Sequence, residues 1–270
     1  MTTNNIANKT KSSLSEPVEE IIDVPRPVVG LARDYPSGHI IPYHQHSRSQ
    51  LVYASLGVMT VHTEEGIWVV PPLRAVWVPA FTEHQIHVSG RLAMRTLYIQ
   101  PDILSNLPRK CFVVSVSPLL RELILYVVTL PPLYPLNGPE ERIMTVILDQ
   151  IQSLSIAPLD LPIPKDIRLK KIFQTLTGDP SDNRTLEEWG KTVGATSRTL
   201  TRLFRSETGM SFRQWRQQFR ILEALRRLGR DESVTEVALD LGYDSPSAFI
   251  AMFRKALGQT PGQYFKGEVL

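Results

Sequence analysis

Two histidines stand two residues apart at one point of the chain, a spacing that can bind a metal ion. His44 and His46 lie in a segment predicted to be extended, where side chains two residues apart point to the same side. Imidazole nitrogen suits zinc, nickel and iron. His84, on a second predicted strand, could supply a third nitrogen and the amide oxygen of Gln50 a fourth ligand. The alternative is that these imidazoles only form hydrogen bonds within a core.

The spacing around these histidines resembles the two sequence motifs of the cupin barrels. The motifs are Gly38-x5-His44-x-His46-x3-Gln50-x6-Gly57 and Pro79-Ala80-Phe81-Thr82-Glu83-His84. Gln50 stands where a cupin has a metal-binding Glu, and Phe81 stands where it has Gly. The resemblance implies a barrel over about residues 30–100 that binds a divalent metal of the zinc, nickel or iron class, or a small molecule without metal. The remaining histidines are expected on the surface or in the pocket: His39, His62 and His87.

The segments around these motifs are predicted first as strands and then as helices. From Val28 to Tyr98, short runs rich in Val, Ile, Tyr and Trp are separated by Gly and Pro, which predicts a sandwich or barrel. Two helices with apolar stripes are predicted next, one stripe formed by Leu119, Leu120, Leu123, Ile124, Val127 and Val128, the other by Ile143, Val146, Ile147, Gln150, Ile151 and Leu154. Such stripes either cover a neighbouring sheet or form the seam of a homodimer.

The composition excludes several classes of protein. A single cysteine, Cys111, excludes an internal disulfide and a four-cysteine zinc site. The longest apolar stretch, residues 119–133, is interrupted by Arg121, Glu122 and Pro131, so no segment is predicted to span a membrane. Residues 1–24 are rich in Thr, Asn, Ser and Lys without an apolar core, which predicts a flexible tail rather than a signal peptide. We therefore expect a cytoplasmic protein.

Charge is distributed unevenly between the two halves of the chain. The proline-rich segment 157–164 has the composition of a linker and divides them. Residues 165–270 contain 18 Lys and Arg against 13 Asp and Glu, a net charge of +5, whereas residues 1–164 contain 12 against 14, a net charge of −2. A basic half joined to a mildly acidic one predicts that the basic half binds a polyanion.

The basic half contains one unit twice. Shifts of 48 and 49 residues superimpose apolar and glycine positions of the first copy (Trp189, Gly194, Leu200, Phe204, Gly209) on those of the second (Val237, Gly242, Phe249, Phe253, Gly258). Capping boxes at Thr185-x-x-Glu188 and Ser233-x-x-Glu236 start a helix in each copy. Each copy is therefore predicted as a helix-turn-helix, over about residues 185–205 and 233–254.

A long helix is predicted between the two copies. It starts at the capping box Ser211-x-x-Gln214 and runs to about Leu228. About 18 residues at 1.5 Å each give a length of roughly 27 Å. Because successive major-groove faces lie about 34 Å apart, a rigid helix of this length can place two recognition helices on one face of DNA.

Many positions in the two copies resemble the DNA-binding domain of the AraC/XylS transcription regulators. They are Arg202-Leu203-Phe204-Arg205 and Gly209 in the first copy, and Gly242-Tyr243-x-Ser245, Phe249, Phe253-Arg254, Gly258-Gln259-Thr260-Pro261 and Tyr264 in the second. The resemblance covers about residues 165–266. It implies a bacterial, sequence-specific regulator that binds double-stranded promoter DNA. Within the family, residues 42–53 and 75–79 resemble a subgroup that includes a regulator of nitroimidazole drug efflux, which implies a neighbouring transporter gene as the target.

The first recognition helix is expected to read bases. Its outward-facing residues are Arg198, Thr199, Thr201, Arg202 and Arg205. The resemblance implies that Arg198, Thr201 and Arg202 approach base edges, and arginine is the usual bidentate reader of guanine. The alternative for each arginine is a contact with phosphate alone.

The second recognition helix differs at the corresponding positions. Ile250 and Ala251 stand where the first copy has Thr201 and Arg202, and neither side chain can donate a hydrogen bond. Polar contacts remain possible at Ser245, Ser247 and Arg254. The second unit is therefore expected either to contact thymine methyl groups or mainly to hold the DNA backbone.

Together these patterns predict a homodimeric two-domain regulator that responds to a small molecule or a metal. Its fold class is an N-terminal all-β cupin barrel followed by helices, and a C-terminal all-α domain with two helix-turn-helix motifs. The predicted ranges are a tail at 1–24, a cupin-like effector domain at 25–105, a helical linker and dimerisation region at 106–156, a proline-rich linker at 157–164 and an AraC-type DNA-binding domain at 165–270. No catalytic residue is assigned. Two other classes stay open, a metal-dependent cupin enzyme of the dioxygenase type and a structural nucleoid binder.

Overall fold

The computed structural model describes residues 22–104 and 106–266. Most of the predicted tail, residues 1–21, lies outside the described residues. The strands are β1 Val28–Tyr35, β2 Ile40–His44, β3 Ser49–His62, β4 Gly66–Val70, β5 Arg74–Val78, β6 His84–Ile99, β7 Phe112–Ser115, β8 Ile156–Ala157 and β9 Asp160–Pro162. The helices are α1 Pro118–Val127, α2 Pro139–Gln152, α3 Ile167–Gly178, α4 Leu186–Val193, α5 Ser197–Thr208, α6 Phe212–Leu228, α7 Val234–Asp240, α8 Pro246–Leu257 and α9 Pro261–Lys266. A sheet-rich part thus precedes a helical part.

The strands form one antiparallel sheet that is organised around β3 and β6. The strand order is β1-β6-β3-β5-β7-β8, with β2 beside β6, and β4 between β3 and β9. β3 and β6 are long enough to bend, and their register shifts near Gly57. Gly57 has a φ of +79°, and a Cβ there would lie 2.0 Å from the carbonyl oxygen of Arg91, so this bend requires glycine.

The two helices after the strands cover one face of the sheet, one of the two roles expected for them. Leu120 and Ile124 of α1 and Ile147 of α2 are fully buried in a cluster with sheet residues such as Trp77 and Leu97. Ser117 caps α1 by accepting a hydrogen bond from the backbone N–H of Leu120. The buried stripes are narrower than predicted. Their predicted members Leu119 and Val146 are 54% and 42% exposed, because they lie at the margin of the face that meets the sheet, and Met144 is buried instead.

The proline-rich segment is not the free linker that its composition predicted. It contributes β8, which pairs with β7, and β9, which pairs with β4. The α6 side chains Trp215 and Gln218 donate hydrogen bonds to the carbonyl oxygens of Pro162 and Pro158, at 3.3 and 2.6 Å. Prolines are tolerated at the edge of a sheet, where the missing N–H is not needed for pairing. The region predicted as helical, residues 106–156, also contains a strand, β7.

The helical part consists of two helix pairs joined by α6. The three capping boxes predicted from the sequence form at Thr185, Ser211 and Ser233, at the starts of α4, α6 and α7. Gly194 and Gly209 end α4 and α5 in the left-handed conformation that glycine favours. The helices α4 and α5 form one pair, and α7 and α8 the other. Across the described residues, no helix is long and apolar enough to cross a membrane.

The sheet and the helical part share a continuous apolar core. The turn after α6 is pressed against the sheet, since a Cβ at Gly229 would lie 2.5 Å from Cγ2 of Val58. A Cβ at Gly90 of β6 would lie 1.9 Å from the carbonyl oxygen of Gly229. Contacts this close require glycine at both positions, so the two parts meet backbone against backbone.

Candidate effector pocket and DNA-contact surface

A cavity of about 200 Å³ lies on the inner face of the sheet. Alternate residues of β1, β3 and β6 point into it, as the two-residue period of a strand requires. Its polar lining comes from two histidines, an arginine, a glutamine, a threonine and two tyrosines, and its apolar lining from aliphatic and methionine side chains. The lining residues are Leu31, Arg33, Tyr35, Ile41, Pro42, His44, His46, Gln50, Val52, Ile86, Met94, Thr96 and Tyr98, and His84 adjoins them.

The structure brings the three predicted histidines together at one end of this cavity. One ligand nitrogen of each residue lies within 4.8 Å of those of the other two: His44, His46 and His84. The ring of His84 is 4.3 Å from that of His44 and 5.9 Å from that of His46, measured between centroids. Both His46 and His84 are buried. Among the described residues, these three histidines form the cluster whose ligand atoms lie close enough together to hold a metal ion.

Hydrogen bonds to backbone carbonyls fix the tautomers of two of these rings. The Nδ1–H of His44 donates to the Pro42 carbonyl at 2.7 Å, and the Nδ1–H of His84 donates to the Thr82 carbonyl at 2.9 Å. In a neutral ring whose Nδ1 donates, Nε2 carries the lone pair. The Nε2 of His84 is buried and has no hydrogen-bond partner. Such orientation by a second hydrogen bond is typical of metal-binding histidines.

Burial keeps His84 neutral. The pKa of His84 is lowered to about 4, mainly because burial removes water from the charged form and also because His44 and His46 lie nearby; the Thr82 carbonyl opposes this shift. A neutral imidazole at neutral pH is the form that can bind a metal ion.

Gln50, which the sequence predicts as a fourth ligand, faces the same cavity as His44 and His46. It lies on β3 opposite Tyr98 of β6 and lines the cavity. Its Oε1 is buried without a hydrogen-bond partner. A buried acceptor of this kind is destabilising unless a partner binds to it. The structure therefore places Oε1 of Gln50 on the lining of the cavity beside which the three imidazoles converge.

The loop that carries His84 also explains the departure at Phe81. Phe81 has a φ of +60°, a conformation that glycine adopts without strain and a phenylalanine does not. Its N–H donates to the carbonyl of His46 at 2.7 Å, and the N–H of Ala80 donates to Oγ of Ser49 at 3.1 Å. These bonds attach the loop to the segment that carries His46. Phe81 therefore adopts the backbone conformation that a glycine would adopt without strain.

On the helical part, three arginines lie on the exposed face of α5. Arg198, Arg202 and Arg205 are spaced by four and three residues and are all exposed. Within the described residues none of them forms an ion pair. Thr201 is exposed and donates its hydroxyl to the Ser197 carbonyl, which leaves the oxygen as an acceptor. Thr199 is half-buried and shares a hydrogen bond with the capping residue Thr196, so its contribution to an outer surface is smaller than predicted.

The corresponding face of α8 is more apolar, with Ile250 and Ala251 where α5 has Thr201 and Arg202. The predicted residues Ser247, Ile250 and Arg254 line a concave surface of about 610 Å³. Four further residues complete this lining, of which sequence reasoning missed the cation Lys255; they are Ala251, Lys255, Gly258 and Thr260. Ser245 stands at the start of α8, where its hydroxyl accepts the N–H of Ala248 and caps the helix, and its contact with DNA stays a prediction.

Two histidines predicted for the surface or the pocket lie instead where the sheet meets α6. The rings of His62 and His87 are 4.4 Å apart, and Nε2 of His62 is buried without a hydrogen-bond partner. The pKa of His62 is lowered to about 4 by burial first, then by His87 and by Arg226 of α6. The pKa of His87 is lowered by burial and by Arg226. No local pattern predicts this cluster, because Arg226 is far away in the sequence.

Comparisons with known proteins agree with the two-part architecture. A family described as an AraC-like ligand binding domain matches residues 27–136, and a helix-turn-helix domain family matches residues 189–267. The HTH-type transcriptional regulator NimR of Escherichia coli (strain K12) is 37% identical over 83% of this chain and 81% of its own length.

Solved structures are also similar to this chain. The DNA-binding domain of AdpA, a global transcriptional factor solved in complex with a target DNA, is 33% identical over 38% of this chain and 93% of that chain, with a TM-score of 0.35. ToxT from Vibrio cholerae, solved with an unsaturated fatty acid bound, is 11% identical over 88% of this chain and 94% of that chain, with a TM-score of 0.37. On the extent of the match with NimR and the two domain families, the chain belongs to the AraC/XylS family of DNA-binding transcriptional regulators.

Proposed function

We propose that this regulator responds to an effector bound in the 200 Å³ cavity and that a divalent metal of the zinc, nickel or iron class forms part of that site. His44, His46 and His84 would hold the metal through nitrogen, and Gln50 through its amide oxygen. The observation that carries this proposal is the convergence of three imidazoles in a site with two buried atoms that lack hydrogen-bond partners. These atoms are Nε2 of His84 and Oε1 of Gln50. A bound metal would supply a positive charge and open coordination positions for an effector.

Metal analysis of the full chain purified without a histidine tag tests this proposal. We expect about one equivalent of metal per chain, and a loss of most of it in His44→Ala, since His44 is only half-buried and its removal is tolerated by the core. His39→Ala is the matched control, because His39 stacks on Tyr35 outside the cluster. A wild-type protein without metal after growth in zinc-, nickel- and iron-supplemented medium would contradict the proposal.

The helix pairs α4–α5 and α7–α8 are proposed as two helix-turn-helix motifs, behind a sheet-rich domain of the cupin jelly-roll type. α5 would read bases through Arg198, Thr201 and Arg202, because these residues are exposed and the arginines carry no competing ion pair within the described residues. Arg205 would contact phosphate. α6 has 17 residues, so it spans about 26 Å and can hold the two units at neighbouring major-groove positions.

The second motif is proposed to bind DNA mainly by fitting the shape of the duplex and by apolar contacts with thymine methyl groups. Ile250 is half-buried and Ala251 exposed on α8, and both lie on a concave surface. Arg254, Lys255 and Ser247 border this surface and would bind phosphate oxygens. A thymine methyl fits an apolar side chain, whereas guanine readout needs a donor that these positions lack.

A homodimer is proposed through the outer faces of α1 and α2. Apolar side chains remain exposed on these helices and on the loop between them, although the opposite helix faces are buried on the sheet: Leu119, Tyr126 and Val146 on the helices, and Leu133 and Leu136 on the loop. Light scattering of the full chain tests this, with Leu119→Glu expected to yield a monomer and Leu239→Glu, an exposed position on α7, as the control.

We further propose that the regulator acts in the cytoplasm and that its target is a neighbouring transporter gene. A reporter fused to the promoter of that adjacent gene tests this target.

A further inference from the structure

We propose that Arg220 of α6 is a positioning residue that fixes the orientation of the two helix pairs relative to each other, and thereby sets the spacing at which they bind DNA. This inference rests on the proposed function of α4–α5 and α7–α8 as two DNA-binding units. A connecting helix sets the distance between two such units, whereas contacts from its side chains set how each unit is rotated about it.

Arg220 is a buried cation in the middle of α6. It is 7% exposed, and among the described residues it forms no ion pair. The carboxylate of Asp182, in a neighbouring loop, is paired with Arg184. A buried charge without a paired counter-charge is stabilised only by several hydrogen bonds. Arg220 therefore depends on the neutral oxygens around it.

The loop that leads into α4, residues 179–184, supplies these oxygens. Four of them accept hydrogen bonds from Arg220: the Pro180 carbonyl at 3.2 Å, the Ser181 and Asp182 carbonyls at 3.4 and 3.3 Å, and Oδ1 of Asn183 at 3.0 Å. A guanidinium is planar with five N–H donors, so it can hold several oxygens of one loop at once. The start of the first helix pair is therefore attached to α6 through this side chain.

A second arginine of α6 extends this attachment to α4. Arg216 lies one helical turn before Arg220, and its Nη1 donates to the carbonyl of Arg184 at 2.9 Å. The guanidinium of Arg184 lies 3.7 Å from the centroid of the Trp189 ring, and Trp189 is a fully buried residue of α4. The position of the loop is therefore coupled to the packing of the first helix pair.

The guanidinium of Arg220 also contacts the second helix pair. Its Cζ lies 5.7 Å from the centroid of the Tyr243 ring, in the turn between α7 and α8. At this distance a cation and an aromatic ring attract each other. The Tyr243 ring is in turn 5.5 Å from the ring of Phe249, a fully buried residue of α8. One side chain of α6 therefore contacts both units.

The loop before α4 and the turn before α8 also contact each other at this point. Asn183 accepts from Arg220 through Oδ1, and its Nδ2 donates to the carbonyl of Gly242 at 3.2 Å. Gly242 has a φ of +74°, and a Cβ there would lie 2.6 Å from the Ser181 carbonyl oxygen and 3.0 Å from Nη2 of Arg220. This close approach requires glycine. The two units are therefore joined around one guanidinium.

A fixed orientation matters because both units bind one DNA molecule. Once one unit is bound, the other binds at a high effective concentration only if the joint allows both contacts together. One base pair added between two half-sites moves the second by about 3.4 Å and turns it by about 34° around the DNA axis. A rigid pair therefore accepts one spacing, whereas a loosened pair accepts several spacings with lower affinity.

The experiment measures binding of the full chain to one DNA site at several spacings. The wild-type chain selects the site from a random DNA library, footprinting locates its two halves, and base pairs are then added or removed between them. In gel-shift titrations we expect the wild type to lose about tenfold in affinity at an altered spacing. Arg220→Met should bind the selected site about tenfold more weakly than the wild type and bind all spacings nearly equally.

Two further variants keep the test specific. Arg213→Met removes an exposed arginine from the same helix and should keep the spacing preference of the wild type. Asn183→Ala, at an exposed position, removes the amide that joins Arg220 to the Gly242 carbonyl and should relax the preference in the same direction as Arg220→Met. Circular dichroism checks that each variant is folded.

Each contrary result has its own meaning. A folded Arg220→Met chain that loses affinity by the same factor at every spacing would overturn the inference, because a residue that acts on stability alone gives this result. Where Arg220→Met does not fold, a spacing preference retained in Asn183→Ala would overturn it. A wild-type chain that binds all spacings equally would contradict the proposal of two DNA-binding units, and the inference with it.

Discussion

The interface between the sheet and α6 is predicted to weaken when the pH falls below neutral, because of His62. The pKa of His62 is lowered from an ordinary value of 6.5 to about 4 in the folded protein. In the unfolded chain His62 therefore binds a proton at a higher pH than in the folded one. Stability from this residue is fully present above about pH 6.5 and is lost progressively as the pH falls toward 4.

The magnitude follows from the size of the shift. One pKa unit corresponds to about 1.4 kcal/mol, so the shift of His62 is worth at most about 3 kcal/mol of unfolding free energy. Part of this shift arises from His87 and Arg226, which carry or can acquire positive charge. Protonation of His62 would place a second positive charge beside Arg226, and Nε2 of His62 has no hydrogen-bond partner.

Urea unfolding followed by tryptophan fluorescence at a series of pH values between about 7.5 and 4.5 measures this effect. His62→Gln, which cannot be protonated, should show a smaller loss of stability over that range than the wild type. The pKa of His84 is also lowered to about 4, but its contribution is the same in both proteins and cancels in the comparison. His39→Gln serves as the control outside the interface. Identical pH dependences for His62→Gln and wild type would refute the reasoning.

Three further predictions concern the DNA contacts and the domain interface. Arg202→Ala should weaken binding to a specific site by about 1–3 kcal/mol and leave binding to random DNA nearly unchanged in gel-shift competition; equal losses on both would reassign Arg202 to the backbone. Footprints should show stronger base preference in the half of each site that α5 contacts, since α8 presents Ile250 at the corresponding position; equal information in both halves would contradict this. Gly90→Ala should lower the unfolding temperature more than Gly38→Ala, because both glycines have φ near +75° but only Gly90 approaches Gly229; equal losses would show that backbone strain alone decides the effect.

Features that depend on neighbouring residues could be predicted from the sequence. The capping boxes at Thr185, Ser211 and Ser233 require only a residue and its third neighbour, and all three form. The convergence of His44, His46 and His84 could be predicted because a strand period and two motifs fixed their positions.

Features that depend on distant contacts could not be predicted in this way. The proline-rich segment has the composition of a linker, but its pairing with β4 and its hydrogen bonds from Trp215 and Gln218 make it part of the sheet. The cluster of His62 and His87 with Arg226 exists only because α6 packs on the sheet. Composition describes what a segment can do alone, and these segments gain their structure from partners that lie far away in the sequence.

The strand β6 connects the cavity with the turn that follows α6. His84 at its start and Met94, Thr96 and Tyr98 near its end face the cavity, while Gly90 between them meets the turn after α6. An effector alters DNA affinity only if it binds two arrangements of the domains unequally. A Cβ added at Gly90 would lie 1.9 Å from the Gly229 carbonyl oxygen, so the native backbones of β6 and of the turn after α6 lie close together here. A ligand that moves β6 toward α6 would therefore push on α6, and with it on the two helix pairs that α6 joins.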